Sequence, residues 1–449
     1  MVLGPVGSCA TSANTGATGT TAMSSEMISA AEEASVGEDD TYELYVGVDW
    51  ASAAHQVCVL SADGRRREEL TVPHSGAGLA ALRAQLQARV STPSQIAVAI
   101  EVPHGPVVDA LLDHGCHVYA INPKQLDRFR DRHTVAGAKD DRRDALVGAD
   151  ALRTDRRAFR RLQPEDPLLL QVRERSRLHG ELVAEQGRLT NRLREQLWRF
   201  YPALLALSPA ADEPWLWALL AQAPTPAQGR RLTRSAVSAL LARHRIRRLT
   251  ADVVHAALQE PALPVAAGTL QAAQEHVELL LPRLQLVHEQ RAQCERRLER
   301  GLQQLAAPLA EGEALEHRDV TILRSLPGVG RVVAATMLAE ASRPLAARDY
   351  QTLRAQAGTA PVTRQSGKVR LVLMRRACNR RLRAAVFHWA RNSIRLDALS
   401  RARYQHLRLR HGHARALRGV ADRLLNVLIT MLVHHTLYDP QRRRQQIAA

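Results

Sequence analysis

Residues 42–61 read YELYVGVDWASAAHQVCVLS. Two runs rich in Val, Leu and Tyr, 43–50 and 55–61, are parted by a short break of mostly small residues, and both read as strands. A third strand-like run follows at about 67–73. Beyond it, QIAVAIE (95–101) and CHVYAI (116–121) are strand-like, while helical patterns fall at about 76–90, 105–114 and 123–132. Three early strands, then strands alternating with helices, predict an α/β domain with a mixed sheet over 41–157.

From about residue 168 the pattern turns helical. Leu178, Leu182, Leu189, Leu193 and Leu197 form one apolar stripe. Leu280, Leu284, Val287, Cys294, Leu298 and Leu305 form another, interrupted by Pro282 and Arg291. Such helices suit an antiparallel coiled coil, a pairing with a second copy, or an ordinary helical core. They define an all-α linker over 165–315, with an insert at 202–266 broken by prolines. A compact, mainly helical unit covers 318–435, and 436–449 is a basic tail. Residues 1–40, rich in Ala, Ser, Thr and Gly, read as a disordered leader.

The chain carries 62 Lys+Arg against 45 Asp+Glu, a net charge of +17. That imbalance implies a polyanionic partner, most simply nucleic acid. All basic residues but Lys124, Lys139 and Lys368 are arginine, which suits bidentate phosphate contacts; a codon bias towards arginine yields the same excess. The five cysteines (Cys9, Cys58, Cys116, Cys294 and Cys378) show no zinc spacing, which fits a reducing cytosol. No run of 18 apolar residues predicts a membrane span, and the first residues lack a secretory pattern.

Against this basic background, AKDDRRDA (138–145) gathers Asp140, Asp141 and Asp144. Asp141 and Asp144 share a helix face, and so do Asp140 and Asp144. Asp49 ends the first strand and Glu101 a later one. Four ionised carboxylates converge only if their repulsion is cancelled. Divalent ions do this, and hard oxygen donors favour Mg2+ or Mn2+. A metal pair then stabilises the attacking and leaving oxygens of phosphoryl transfer. The same acids also read as a solvated helix start, with Asp140 as N-cap.

The order GVDWA, IEVPHG, NPKQ, AKDDRRDA resembles the RuvC-like amino-terminal domain of the DEDD transposases, an insertion-sequence family described as bridge-RNA-guided recombinases. The resemblance implies an RNase H-like fold and a carboxylate quartet. The family pattern K-x-D-x-x-D-A falls on Lys139, Asp141, Asp144 and Ala145, so it selects Asp141 over Asp140. Asp49 and Glu101 fill the first two places.

LRSLPGVGRVVAATMLAE (323–340) resembles a helix–hairpin–helix, in which Gly328 and Gly330 permit a tight turn facing a phosphate. The following residues resemble the family's carboxy-terminal transposase domain: Ala357, Gly358 and Pro361, then Ser366, Gly367 and Lys368, then Asn379, Leu382 and Arg383. Cys378 departs from the family's usual glycine. The resemblance implies that Ser366 is the nucleophile. Lys124, Lys139, Arg364, Lys368, Arg370, Arg375, Arg376, Asn379 and Arg383 are candidate nucleic-acid contacts; any single arginine reads equally as solvated surface.

The resemblance thus implies an enzyme that cuts and rejoins donor and target DNA through a serine–DNA bond. It further implies an element-encoded guide RNA and a dimer or tetramer in which one subunit's acids meet another's serine. Such an enzyme works in the bacterial cytoplasm, at the nucleoid. The rival expectations are a RuvC-like junction nuclease using water, and a non-catalytic nucleic-acid-binding protein.

Overall fold

The computed structural model describes residues 42–132, 140–307, 318–367 and 369–441. The expected leader, Lys139, Lys368 and residues 442–449 of the basic tail lie outside the described residues. The chain forms two compact units, Met1–Pro164 and Glu165–Ala449.

In the first unit, β1 (Leu44–Asp49), β2 (Ala54–Ser61) and β3 (Arg66–Pro73) are followed by α1 (Gly76–Gln87) and β4 (Ile96–Ile100). Then come α2 (Pro106–Asp113), β5 (His117–Ala120), α3 (Pro123–Arg130), α4 (Asp141–Asp155) and the short β6 (Arg160–Arg161). The sheet order is β3-β2-β1-β4-β5-β6. β1 pairs antiparallel with β2 and parallel with β4, and β4 runs parallel to β5. A mixed sheet of this order is compatible with an RNase H-like fold. The two-residue β6 carries only arginines, too short and polar a run to read as a strand.

Alternation along the strands sorts side chains by size. Ile96, Val98 and Ile100 of β4 join Leu82, Leu86, Val107 and Leu111 of the two first helices in one core. Ala97 and Ala99 face the other way, in a core with Val147, Ala151 and Leu152 of α4. The small residues let α4 approach the sheet. Gly47 of β1 marks the tightest point: a Cβ there would lie 1.8 Å from the Ala145 carbonyl oxygen and 2.7 Å from the Ala149 nitrogen.

In the second unit, α5 (Pro167–Phe200) and α11 (Ala267–Ala306) are long helices. Between them lie α6 (Ala203–Leu207), α7 (Pro214–Gln222), α8 (Pro226–Gly229), α9 (Arg234–Arg243) and α10 (Ala251–Gln259). Asp166 caps α5 by accepting from the Leu168 and Leu169 amides, and Pro167 occupies the first turn, where no intrahelical donor is lost. The long helices pair with each other and run antiparallel. Cys294 Sγ donates to the Arg175 carbonyl at 3.2 Å, and Gly301 lies against Val172. Pro282 does not end α11; burial of Leu280, Leu281 and Leu284 around it outweighs the missing backbone bond. One expectation needs correction. Leu178 is 46% exposed, and the buried stripe runs through Val172, Ser176 and His179 instead.

The chain continues through α12 (Asp319–Ser325), α13 (Arg331–Glu340), α14 (Ser342–Ala346) and α15 (Tyr350–Gln356) to a hairpin, β7 (Pro361–Ser366) and β8 (Val369–Met374). It ends in α16 (Arg380–Leu396), α17 (Ala398–Arg408) and α18 (His413–Val433). One apolar core runs from Val172 to Leu432. Among the described residues no helix is long and apolar enough to cross a membrane.

Candidate active site

Asp49 is the last residue of β1, and Glu101 directly follows β4. These strands are parallel neighbours with Val48 opposite Ile100, so the two acids leave the sheet side by side at its carboxyl edge, where such sheets bind ligands. Asp144 enters from α4, one turn inside the helix start. Asp140 caps that helix by accepting from the Arg142 amide at 3.2 Å. Capping and cavity roles therefore fall on different aspartates. Asp49, Glu101 and Asp144 line one small cavity with Val48, Ala99, Ile100, Ile121, Leu126 and Gly148. Its volume of about 10 Å3 is near the size of one water-sized sphere. Asp141, the first residue of α4, is exposed and is not among the lining residues.

Asp144 is 5% exposed. An unpaired buried carboxylate is costly, and Arg130 of α3 answers it: Nε donates to Asp144 Oδ1 at 2.7 Å. The same guanidinium donates to Asp127 at 2.9 Å. Sequence reasoning missed Arg130. The signal was present, since Arg130 is four residues past Leu126 and so shares its inward face. Among the described residues no three His, Cys, Asp or Glu side chains are grouped closely enough to hold a metal. The donor chemistry nevertheless fits a hard divalent ion: three carboxylates share one ion-sized cavity, and the most buried already has a cation beside it.

The buried cysteines do not add nucleophiles. Burial pushes the Cys58 and Cys116 thiols up to about 11, so both stay protonated.

In the second unit, Ser366 closes β7 at the tip of the hairpin, opposite Val369. Gly367 has φ +54°, the left-handed backbone a tight hairpin turn requires. Both strands are exposed almost throughout. Arg364 sits two residues before Ser366 and shares its face; Arg370 pairs with Gln365 and lies on the other. Arg376 is exposed and Arg375 half-buried.

Asn379 is held by local hydrogen bonds. Its side chain accepts from the Arg381 and Leu382 amides as N-cap of α16 and donates to Glu340 at 2.7 Å. Arg383 is half-buried, and Lys124 is exposed on α3. Gly328 has φ +86°, and a Cβ there would lie 2.7 Å from the Ser393 nitrogen, so it seats the α12–α13 turn on α16. Gly330 caps α13 with open space where its Cβ would be. Cys378 Sγ packs where Gly358 has no side chain: a Cβ at Gly358 would be 2.9 Å away. The missing family glycine is therefore accommodated locally.

Two family models match the chain, one described as a transposase over residues 46–202 and one as the transposase IS116/IS110/IS902 family over 320–405. The "Mini-circle putative transposase for IS117" of Streptomyces coelicolor is 32% identical over 427 residues, covering 90% of this chain and 97% of that protein. The chain belongs to the IS116/IS110/IS902 transposase family. "Putative transposase y4uE" of Sinorhizobium fredii is 52% identical over 217 residues; that match spans 48% of this chain and 60% of the relative. The "Insertion element IS110 uncharacterized 43.6 kDa protein" of Streptomyces coelicolor is 29% identical over 88% of the chain. The first family model contains all four expected acids, and the second contains Ser366.

Proposed function

We propose that this transposase cuts and rejoins DNA at insertion-sequence ends and targets through a covalent bond to Ser366, next to an acid site built from Asp49, Glu101, Asp141 and Asp144. The observation that carries this reading is the convergence of Asp49, Glu101 and Asp144, from three separated segments, on one ion-sized cavity. A bound Mg2+ or Mn2+ would neutralise these acids and polarise the scissile phosphate.

In the first step Ser366 Oγ attacks the phosphorus in line. The Oγ–P bond forms, the bond from phosphorus to the departing sugar oxygen breaks, and that oxygen leaves as a hydroxyl. Rejoining is the reverse with the exchanged strand: its hydroxyl attacks the phosphoserine and Ser366 recovers its proton. Arg364 shares the serine's face and would clamp the phosphate. Exposure of the hairpin supports a serine that meets its substrate away from its own core.

An element-encoded RNA would carry the sequence choice, with the protein holding backbone and shape. Two or four subunits would assemble so that one chain's acids serve another's serine. The enzyme would act in the bacterial cytoplasm, at the nucleoid.

The test is adduct trapping. Wild-type protein, its element DNA, its RNA and Mg2+ should give denaturation-resistant protein–DNA species. Ser366→Ala should bind DNA unchanged and give none, and Asp144→Asn should lose both cleavage and adducts. Strand cleavage by Ser366→Ala would sink the serine mechanism and favour the water-using nuclease. No cleavage by any form would favour a binding protein.

A further inference from the structure

We propose that Trp50, braced by His55 and His74, is a stacking platform for an unpaired nucleobase of the DNA strand lying at the acid cavity. The inference rests on the proposed function and names a contact that reading does not supply.

Trp50 directly follows Asp49 and is 39% exposed. Large aromatic surface left in water marks contact sites when it is rigidly held, and this ring is held. His55 lies beneath it at 6.2 Å and a tilt of 32°, and His74 meets its edge at 6.3 Å and 78°. His55 has no exposed surface. The Ala51 amide donates to His55 Nδ1 at 3.3 Å, so this nitrogen is the acceptor and Nε2 carries the proton. His55 Nε2 then donates to His74 Nδ1 at 2.9 Å. The His74 amide returns to the Ala53 carbonyl at 2.9 Å. The short loop carrying Trp50 is therefore fastened at Ala51 and at Ala53. His74, exposed, keeps its own Nε2–H as an outward donor, suited to a phosphate oxygen.

The position suits the substrate. Consecutive Cα atoms are about 3.8 Å apart, and successive nucleotides of one strand rise about 3.4 Å. A phosphate at Asp49 thus puts the neighbouring nucleotide at Trp50. Stacking accepts any base, because every base has a π-face. It would hold a strand without reading it, as an enzyme guided by another molecule needs. The competing account is that Trp50 is only an apolar lid over His55. Leucine would serve as a lid but cannot stack.

The test uses the full-length protein with a single-stranded DNA oligonucleotide carrying 5-iodouracil, irradiated in EDTA so that no cleavage occurs. Cross-linked peptides are mapped by mass spectrometry, and each variant's melting temperature is recorded. The wild type should cross-link at Trp50. Trp50→Phe should keep a cross-link at residue 50. Trp50→Leu should abolish it and weaken binding of the oligonucleotide about five-fold or more, the low end for one base stack. His74→Ala should lower the cross-link yield.

Cross-links mapping only elsewhere, or unchanged binding by Trp50→Leu, would overturn the platform. An RNA oligonucleotide labelling Trp50 in preference to DNA would overturn the choice of strand. Adduct trapping separates the readings: wild-type serine adducts without a Trp50 cross-link leave the serine mechanism standing and remove this inference alone.

Discussion

Asp144 sets the electrostatics of the acid cavity. Its side chain is 4% exposed and pairs with an Arg130 side chain that is 19% exposed. Removing one partner of a buried pair leaves an uncompensated charge, at about 3–5 kcal/mol. Arg130→Gln should therefore lower the melting temperature of the metal-free protein. It should also tighten Mn2+ binding, because the ion no longer competes with a guanidinium for the carboxylate. Titration calorimetry with Mn2+ checks this, with Asp144→Asn as the control that should bind least. Equal Mn2+ affinity in Arg130→Gln and wild type would mean that Arg130 is simply structural. Residue-scale reading of the sequence found the acids because carboxylates are conspicuous in a chain of +17. It missed Arg130 and His74 because an arginine among arginines, or one histidine among 18, carries no signal until packing supplies a partner.

At the scale of elements, the site depends on how closely α4 crosses β1. Gly47 has no space for a methyl group, since the blocking atoms are helix backbone rather than a yielding side chain. Gly47→Ala should cost about 1–3 kcal/mol, the range for overpacking, and more if α4 cannot shift. Urea denaturation measures the loss. Because the shift would carry Asp144 away from Asp49, Mn2+ binding should weaken in the same variant; a Gly47→Ala protein of wild-type stability would refute the close crossing. The strands of the first unit were legible because their apolar runs are bounded by turns and alternate with helices. β7 and β8 were not. Val369, Leu371, Val372, Leu373 and Met374 are each 42–60% exposed, so the usual rule that one face is buried gives no period-two pattern to read. The register slip at Leu178 has a similar origin: a stripe read from leucines alone passes over Ser176 and His179, which are buried polar residues.

At the scale of the molecule, net charge predicted a polyanionic partner but could not place it, because arginines occur along the whole chain. Two histidines give a sharper global expectation. Burial, then the neighbouring His74, holds His55 below the usual histidine range. Burial, then Arg291, does the same for His288, which packs against Trp217 at 5.6 Å. The unfolded chain takes up protons at these sites as pH falls through about 6.5, whereas the folded chain resists until its lower value is reached. A depressed folded-state pKa therefore contributes stability that is complete above about 6.5 and is lost as pH drops towards the folded value. The melting temperature should fall between pH 7.5 and 5.5. His288→Gln cannot titrate, so its fall over that window should be smaller, although its stability at pH 7.5 should also drop from lost packing on Trp217. Calorimetric scans of both proteins at the two pH values decide the point: equal falls would show that His288 is not held neutral by the second unit's core.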